Sequence, residues 1–178
     1  LISSFEAEAK RRSDPADSFD FDATVVGGGA VGLACGRALA KRGLTVLVLE
    51  KEGHIGQGVS SRNSEVIHGG LYYQGEIEDA GGSVVVATPF ERAEPLAGGG
   101  FTITAGGEGG ATLTTRLLVT APGLEAQDVA ARIEGFPVDR IPTRHLGKGV
   151  YFRLTGKAPF ARLIYPPPIP GAPGTHYR

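Results

Sequence analysis

Glycines at 27, 29 and 32 and an acid at 50 are the residues of this chain whose types and spacing could do chemistry. An apolar run, Ala23-Thr24-Val25-Val26, leads into Gly27-x-Gly29-x-x-Gly32, and a second, Val46-Leu47-Val48-Leu49, ends on Glu50. A strand–helix–strand unit that holds a dinucleotide needs this order. Gly27 permits the tight turn out of the strand, Gly29 lets the backbone approach a pyrophosphate, and Gly32 lets the helix pack closely on the strand. The helix that opens at Ala30 and Val31 points free N–H groups and partial positive charge at the phosphates. Glu50, with Lys51 beside it, stands about 20 residues beyond the fingerprint, where an acid accepts from a ribose hydroxyl. The alternatives stay open: a strand–helix–strand unit without a ligand, and a solvated acid at a strand end.

The elements that must position these residues follow from the pattern. A helix over 30–42 carries Val31, Leu33, Ala34, Ala38 and Leu39 at helical spacing and stops at Gly43. Residues 53–75 read as a Gly/Ser-rich loop, with a short helix capped by Ser61 or Asn63. A buried strand is expected over 83–88. A meander follows over 90–95, 101–105 and 111–115, then a separate apolar strand over 117–121, closed by Pro122-Gly123. A short helix is expected at 125–133. Beyond Pro137 the chain is Pro- and Arg-rich, with strand character at 149–154 and 162–165, and Pro166-Pro167-Pro168 and Pro170 stop regular structure. Residues 1–21 read as a mobile or weakly helical arm.

Composition narrows the function classes. The chain has 178 residues, enough for one domain of ordinary size, and a net charge of −1 leaves no electrostatic footprint for nucleic acid. Lys10-Arg11-Arg12 is too short a cluster to change that. A single cysteine, Cys35, excludes an internal disulfide framework and reads as a packed thiol in the helix. No His/Asp/Glu spacing suggests a metal, and no apolar stretch is long enough to cross a membrane. Arg11, Arg12, Asp14, Asp17 and Asp20 interrupt any signal-peptide core, and a first residue of Leu fits a piece of a longer product.

The segment Gly56-x-Gly58-x-Ser60-Ser61-Arg62-Asn63-Ser64-Glu65-Val66-Ile67-His68-Gly69-Gly70-Leu71-Tyr72-Tyr73 is more distinctive than the glycines. With Ala121-Pro122-Gly123, His145 to Leu154, and Leu163-Ile164-Tyr165-Pro166, the chain resembles the FAD-dependent oxidoreductases of the D-amino-acid oxidase-like superfamily over roughly residues 22–178. It is most similar to the branch of L-2-hydroxyglutarate dehydrogenases and oxidases. The resemblance implies an α/β fold: a Rossmann-like FAD-binding domain with a small antiparallel β insertion and an incomplete substrate domain. It divides the chain into an arm (1–21), an FAD-binding domain (22–135) and a partial substrate domain (136–178). Two departures from the family pattern imply an internal deletion near 74–79 and a missing C-terminal part.

The resemblance also implies roles. Ser60, Ser61, Arg62, Asn63 and Ser64 lie over the pyrophosphate and ribityl chain, where hydroxyls and an amide donate to phosphate oxygens; a helix-capping polar loop is the alternative. Phe90 reads the adenine edge by its backbone, or is only a strand end. Ala121 and Gly123 form a turn near the flavin, or a plain turn. His68 is the candidate base that removes the hydroxyl proton while hydride leaves for the flavin, or it only hydrogen-bonds the cofactor or a carbonyl. Tyr73, Lys148 and Tyr151 line the substrate side, although Lys148 also reads as a surface lysine. The implied reaction oxidises an L-2-hydroxy acid to the 2-oxo acid and passes electrons to an unidentified acceptor. The setting is cytoplasmic, or else mitochondrial or peripheral at the inner membrane. The rival reading is a truncated, non-catalytic FAD-binding remnant. An NAD-linked dehydrogenase on the same unit fits the 60–73 segment poorly.

Overall fold

The computed structural model describes residues 19–62, 73–106, 110–147 and 155–157. The chain divides into two units, residues 1–142 and 143–178. In the second, the described residues carry no helix or strand. His68 and residues 63–64, 148 and 151, and the strands expected at 149–154 and 162–165, lie outside the described residues.

The first unit is built on a six-stranded sheet in the order β3-β2-β1-β6-β5-β4. β1 (Phe21–Val26) starts inside the segment read as an arm and pairs in parallel with β2 (Val46–Leu49) and with β6 (Ala111–Thr120). β3 (Ser83–Val85) continues the parallel half beyond β2. β4 (Phe90–Pro95) and β5 (Phe101–Ala105) form the antiparallel half. Both β2 faces are buried, which explains its unbroken apolar run. Val46 and Val48 face α1 (Ala30–Ala40) and α2 (Tyr73–Asp79) in one core with Ala23, Val25, Leu33 and Ile77. Leu47 and Leu49 face the other way, into a core shared with Phe90, Ala93, Ile103, Leu113 and, from α3 (Ala126–Ala130), Val129.

Four expectations are corrected. The strands expected at 111–115 and 117–121 are one ten-residue strand. Its first half pairs antiparallel with β5, its second half parallel with β1, and Thr115 is aligned with both Phe101 and Phe21. No Gly, Pro, Asn or Asp falls between Ala111 and Thr120, so nothing local breaks the strand. The strand expected at 83–88 ends at Val85 and is half-buried, because it lies at the sheet edge. Beyond it the backbone turns back on β2 through Ala87, at φ +52°. The helix expected at 125–133 is a 3₁₀ turn, Gly123–Glu125, followed by α3. The helix expected at 30–42 ends at Ala40, and its buried stripe is Gly32, Leu33, Gly36 and Ala40. Val31 is 67% exposed. The helix approaches so closely that glycine serves on its inner face: a Cβ on Gly32 would lie 1.8 Å from the Gly27 carbonyl oxygen, and one on Gly36 would lie 3.0 Å from Val48 Cγ2.

The segment read as a deletion junction is a continuous helix, α2. Ile77 buries against the Gly36 side of α1. Around it, Arg37 lies over the Tyr73 ring (4.8 Å to the centroid), and Glu76 Oε2 takes Arg37 Nε at 2.8 Å and Lys41 Nζ at 2.5 Å. Contacts from Lys41 first and Arg37 next hold the Glu76 carboxyl below its usual range.

The amino end of β1 is anchored on both sides. Asp22 N–H donates to Thr45 Oγ1 (2.8 Å), while Thr45 N–H and hydroxyl donate to Asp22 Oδ2 (2.8 and 2.9 Å). Asp20 and Thr114 make the same exchange at 3.0, 2.7 and 2.9 Å. Burial pushes the Asp22 carboxyl up, but the Thr45 hydrogen bonds and Arg116 outweigh it and leave the group below its usual range.

Candidate cofactor site

The carboxyl ends of β2, β1 and β6 meet at Gly27. Gly27 N–H donates to Leu49 O at 2.8 Å, and Ala121 N–H donates to Val26 O at 2.8 Å. Gly27 sits at φ +108°, and a Cβ there would lie 2.5 Å from the Ala121 carbonyl oxygen. Conformation and crowding both require glycine at this point. Crevices outside the carboxyl ends of such strands are where open α/β sheets bind ligands.

Glu50 is 8% exposed, and its carboxylate is held in place by the backbone. Gly28 N–H donates to Oε2 at 2.8 Å and Glu52 N–H to Oε1 at 2.9 Å. A carboxylate offers about four lone-pair sites, so acceptor capacity remains on both oxygens. The backbone around Glu50 is tied as well: Glu50 N–H donates to Val85 O and Thr88 N–H to Glu50 O, both at 2.8 Å, and Ala87 N–H donates to Glu52 O at 2.7 Å. Gly28 and Glu52 were missed as site residues. Gly28 had a readable signal, because it lies between the two fingerprint glycines and a Cβ there would come within 3.0 Å of Glu50. The Glu52 contact is made by a backbone amide and left no trace in residue type.

The amino end of α1 carries no acidic residue in its first turn and no side-chain cap from Gly29. Instead, Ala30 N–H donates to Ser60 Oγ at 2.9 Å. A Cβ on Gly29, which is extended at φ −81°, would stand 3.1 Å from that oxygen, close enough that Ser60 would have to give by a few tenths of an ångström. Ser60 belongs to a 3₁₀ turn, Val59–Ser61, whose loop is pinned by Gly56 N–H donating to Gly28 O at 3.0 Å. Ser61 turns its hydroxyl inward to the carbonyls of Gln57 (3.0 Å) and Gly58 (2.9 Å), and Arg62 is exposed at the end of the turn.

Lys51 pairs with Glu125 and lies 3.6 Å from Glu52 Oε1, joining the end of β2 to the turn after β6. The Glu125 hydrogen bond pulls the Lys51 pKa above its ordinary value. Gly123 sits at φ +61°, and a Cβ there would meet nothing within 4 Å. Phe90 buries its ring in the core, and its carbonyl accepts from Arg132 Nη1 at 2.9 Å. Tyr73 lies at the start of α2 against Arg37. Cys35 is a free, half-buried thiol. The structure thus brings together Gly27, Gly29, Ala30, Gly32, Glu50, Ser60 and Ala121.

A glycine turn, a helix N-terminus without acid and a backbone-held carboxylate define a dinucleotide-binding α/β domain. Residues 22–78 match the family described as FAD dependent oxidoreductase (DAO). The chain is 54% identical over 56 residues to a mitochondrial L-2-hydroxyglutarate dehydrogenase of Dictyostelium discoideum, covering 30% of this chain and 13% of that protein. The Homo sapiens protein of the same name is 47% identical over 66 residues, 36% of this chain and 14% of its own length. A mitochondrial glycerol-3-phosphate dehydrogenase of Saccharomyces cerevisiae is 43% identical over 58 residues, 33% of this chain and 9% of that protein. The matched segment therefore spans only a small part of these relatives. The fold is similar to that of Thermovibrio ammonificans THI4, at TM-score 0.55 and 19% identity over 74% of this chain and 66% of the other. It is also similar to aklavinone-11 hydroxylase solved with FAD and aklavinone, at TM-score 0.51 and 17% identity over 61% of this chain and 34% of the other.

Proposed function

We propose that this chain is the FAD-binding part of an oxidoreductase that converts an L-2-hydroxy acid of the 2-hydroxyglutarate type to its 2-oxo acid. The observation that carries the reading is the convergence of the buried Glu50 carboxylate, the acid-free N-terminus of α1 and the Ser60 hydroxyl at one crevice. The donors and acceptors there suit a dinucleotide. Glu50 accepts from ribose hydroxyls with its remaining lone pairs. The first amides of α1 and the Ser60 hydroxyl take the pyrophosphate, which the helix dipole favours. Bound FAD would supply the redox chemistry by accepting a hydride. His68 would take the hydroxyl proton, or else hydrogen-bond the cofactor, and Lys148 and Tyr151 would meet the substrate.

Identity to L-2-hydroxyglutarate dehydrogenases supports the substrate class, and the glycerol-3-phosphate dehydrogenase match supplies the competing one. Relatives described as mitochondrial support a mitochondrial setting over the cytoplasmic one. Among the described residues no helix is long and apolar enough to cross a membrane. A second reading is an FAD-binding piece without turnover. One experiment separates these readings. Load the chain with FAD and mix it anaerobically with L-2-hydroxyglutarate or with glycerol 3-phosphate. Bleaching by the hydroxy acid at about 1 per second or faster supports the proposal. Bleaching by glycerol 3-phosphate alone refutes the substrate class. Tight FAD binding with no bleaching by either supports the second reading.

A further inference from the structure

Burial alone does not fix where β1 sits along its two neighbours. Ala23 and Val25 enter one core and Val26 the other, β2 divides its valines and leucines between the same two cores, and Leu118 and Val119 of β6 pack one on each. A strand shifted by two residues keeps every side chain on its own face, so apolar groups still meet apolar groups. The cofactor crevice tolerates no such shift. Two residues of strand span about 7 Å. That distance would take Gly27 N–H from Leu49 O and Gly28 N–H from Glu50 Oε2, which they now meet at 2.8 Å.

Polar residues at the amino end of β1 supply what burial lacks. Asp22 and Thr45 exchange three hydrogen bonds one step before the pairing of Ala23 with Val46. Asp20 and Thr114 exchange three more, one step before the pairing of Phe21 with Thr115. An aspartate side chain is short, so each clamp closes only on a residue alongside. Shifted two residues one way, Asp20 would meet Thr112, but Asp22 would meet Gly43, which has no side chain. Shifted the other way, they would meet Arg116 and Leu47. Of these registers, only the observed one closes both clamps.

We propose that Asp20 and Asp22 are positioning residues that set the register of β1 and so deliver the Gly27-Gly28 turn to the ends of β2 and β6. This inference rests on the dinucleotide reading of the crevice and adds to it the device, at the opposite end of the strand, that assembles it. The clamps work by hydrogen-bond geometry. In each, the threonine N–H and hydroxyl converge on one carboxylate oxygen, Oδ2. An asparagine oxygen accepts both equally well, whereas alanine accepts neither. Asp22→Asn gives up only the longer Arg116 contact on Oδ1, at 3.5 Å.

The test uses the full chain labelled with carbon-13 and nitrogen-15. In the wild type, cross-strand NOEs join Ala23 to Val46 and Phe21 to Thr115. Asp22→Ala leaves Asp20 free to close on Thr112, so a second set of NOEs joins Phe21 to Leu113 and Ala23 to Leu44. FAD affinity per folded chain falls about tenfold, as when about a tenth of the molecules keep the competent register. Asp22→Asn stays near wild type in both readouts. If Asp22→Ala does not fold, Thr45→Val is read in the same way, since it removes the hydroxyl that makes two of that clamp's three hydrogen bonds. A variant of lower stability with wild-type NOEs and wild-type affinity per folded chain overturns the proposal, because clamps that only add stability leave both unchanged. If the wild type binds no FAD, the dinucleotide reading falls, and the NOEs alone then support or overturn the register lock.

Discussion

Glu50→Gln tests the site through the folding of the protein as well as through binding. The carboxylate receives two backbone N–H groups, Gly28 on Oε2 at 2.8 Å and Glu52 on Oε1 at 2.9 Å. Glutamine keeps one oxygen and replaces the other with an NH₂ group, so one of those amides must face a donor. The substitution removes a hydrogen bond to a charged group, worth about 1.5–3 kcal/mol, and leaves a buried or half-buried N–H unpaired at about 1–3 kcal/mol. These two costs overlap, because both describe the same lost contact, so the expected loss of stability is about 1.5–3 kcal/mol. Urea unfolding reads it directly as a lower midpoint at unchanged slope. FAD affinity, corrected for the folded fraction, should fall as well. Glu52→Gln is the control: Glu52 holds Glu50 through its backbone, and among the described residues its side chain makes a surface contact with Lys51. It should stay within about 0.5 kcal/mol of wild type. If Glu50→Gln also costs less than about 0.5 kcal/mol, the carboxylate is not held as described.

Gly32→Ala places a Cβ 1.8 Å from a backbone oxygen that cannot turn aside. It should cost about 3 kcal/mol or more by urea denaturation, against about 1–2 for Gly43→Ala, where only a φ of +82° opposes the change. Equal costs would contradict the packing argument. Gly29→Val should abolish FAD fluorescence quenching, because its side chain enters the phosphate seat beside Ser60; normal quenching would put the cofactor elsewhere. Thr24 Oγ1 is fully buried in β1 and has no hydrogen-bond partner among the described residues, so Thr24→Val should raise stability by about 1 kcal/mol. A clear loss would show that the hydroxyl is satisfied. Glu76 has a lowered pKa through Lys41 and Arg37, so its contribution is present above the usual carboxylate range and is lost as pH falls through its folded value. The gap in urea midpoint between wild type and Glu76→Gln should therefore shrink between about pH 7 and about pH 3. A gap that does not change with pH would show that the ion contacts contribute nothing.

The strand–turn–helix–strand unit was legible because its requirements are local. Gly27 needs a backbone that only glycine adopts easily, Val46 to Leu49 must be apolar on both faces, and Glu50 ends the run. The inner face of α1 was legible in part: the fingerprint marked Gly32 as the close contact with the strand and the spacing marked Leu33, but Gly36 carried no signal. A spacing argument ranks Val31 above Gly36, since hydrophobicity is what periodicity measures. The helix sits so near β1 and β2 that glycine stands at 32 and 36 beside the buried Leu33, and Val31 points outward. Neither the sheet order nor the continuity of β6 could be read from the chain. Thr112, Thr114, Thr115 and Arg116 carry no sign that one strand serves an antiparallel neighbour at its start and a parallel one at its end.

The sequence by itself determined that a dinucleotide unit forms, which glycines build its turn and where its acid lies, because these depend on residue type at short range. Only the tertiary structure decided what those groups touch. Glu50 is held by two backbone amides, and the helix-end amide of Ala30 is covered by a hydroxyl from 30 residues away. Backbone amides have no residue-type signature, and the partner of a hydrogen bond is chosen by the path of the chain through space.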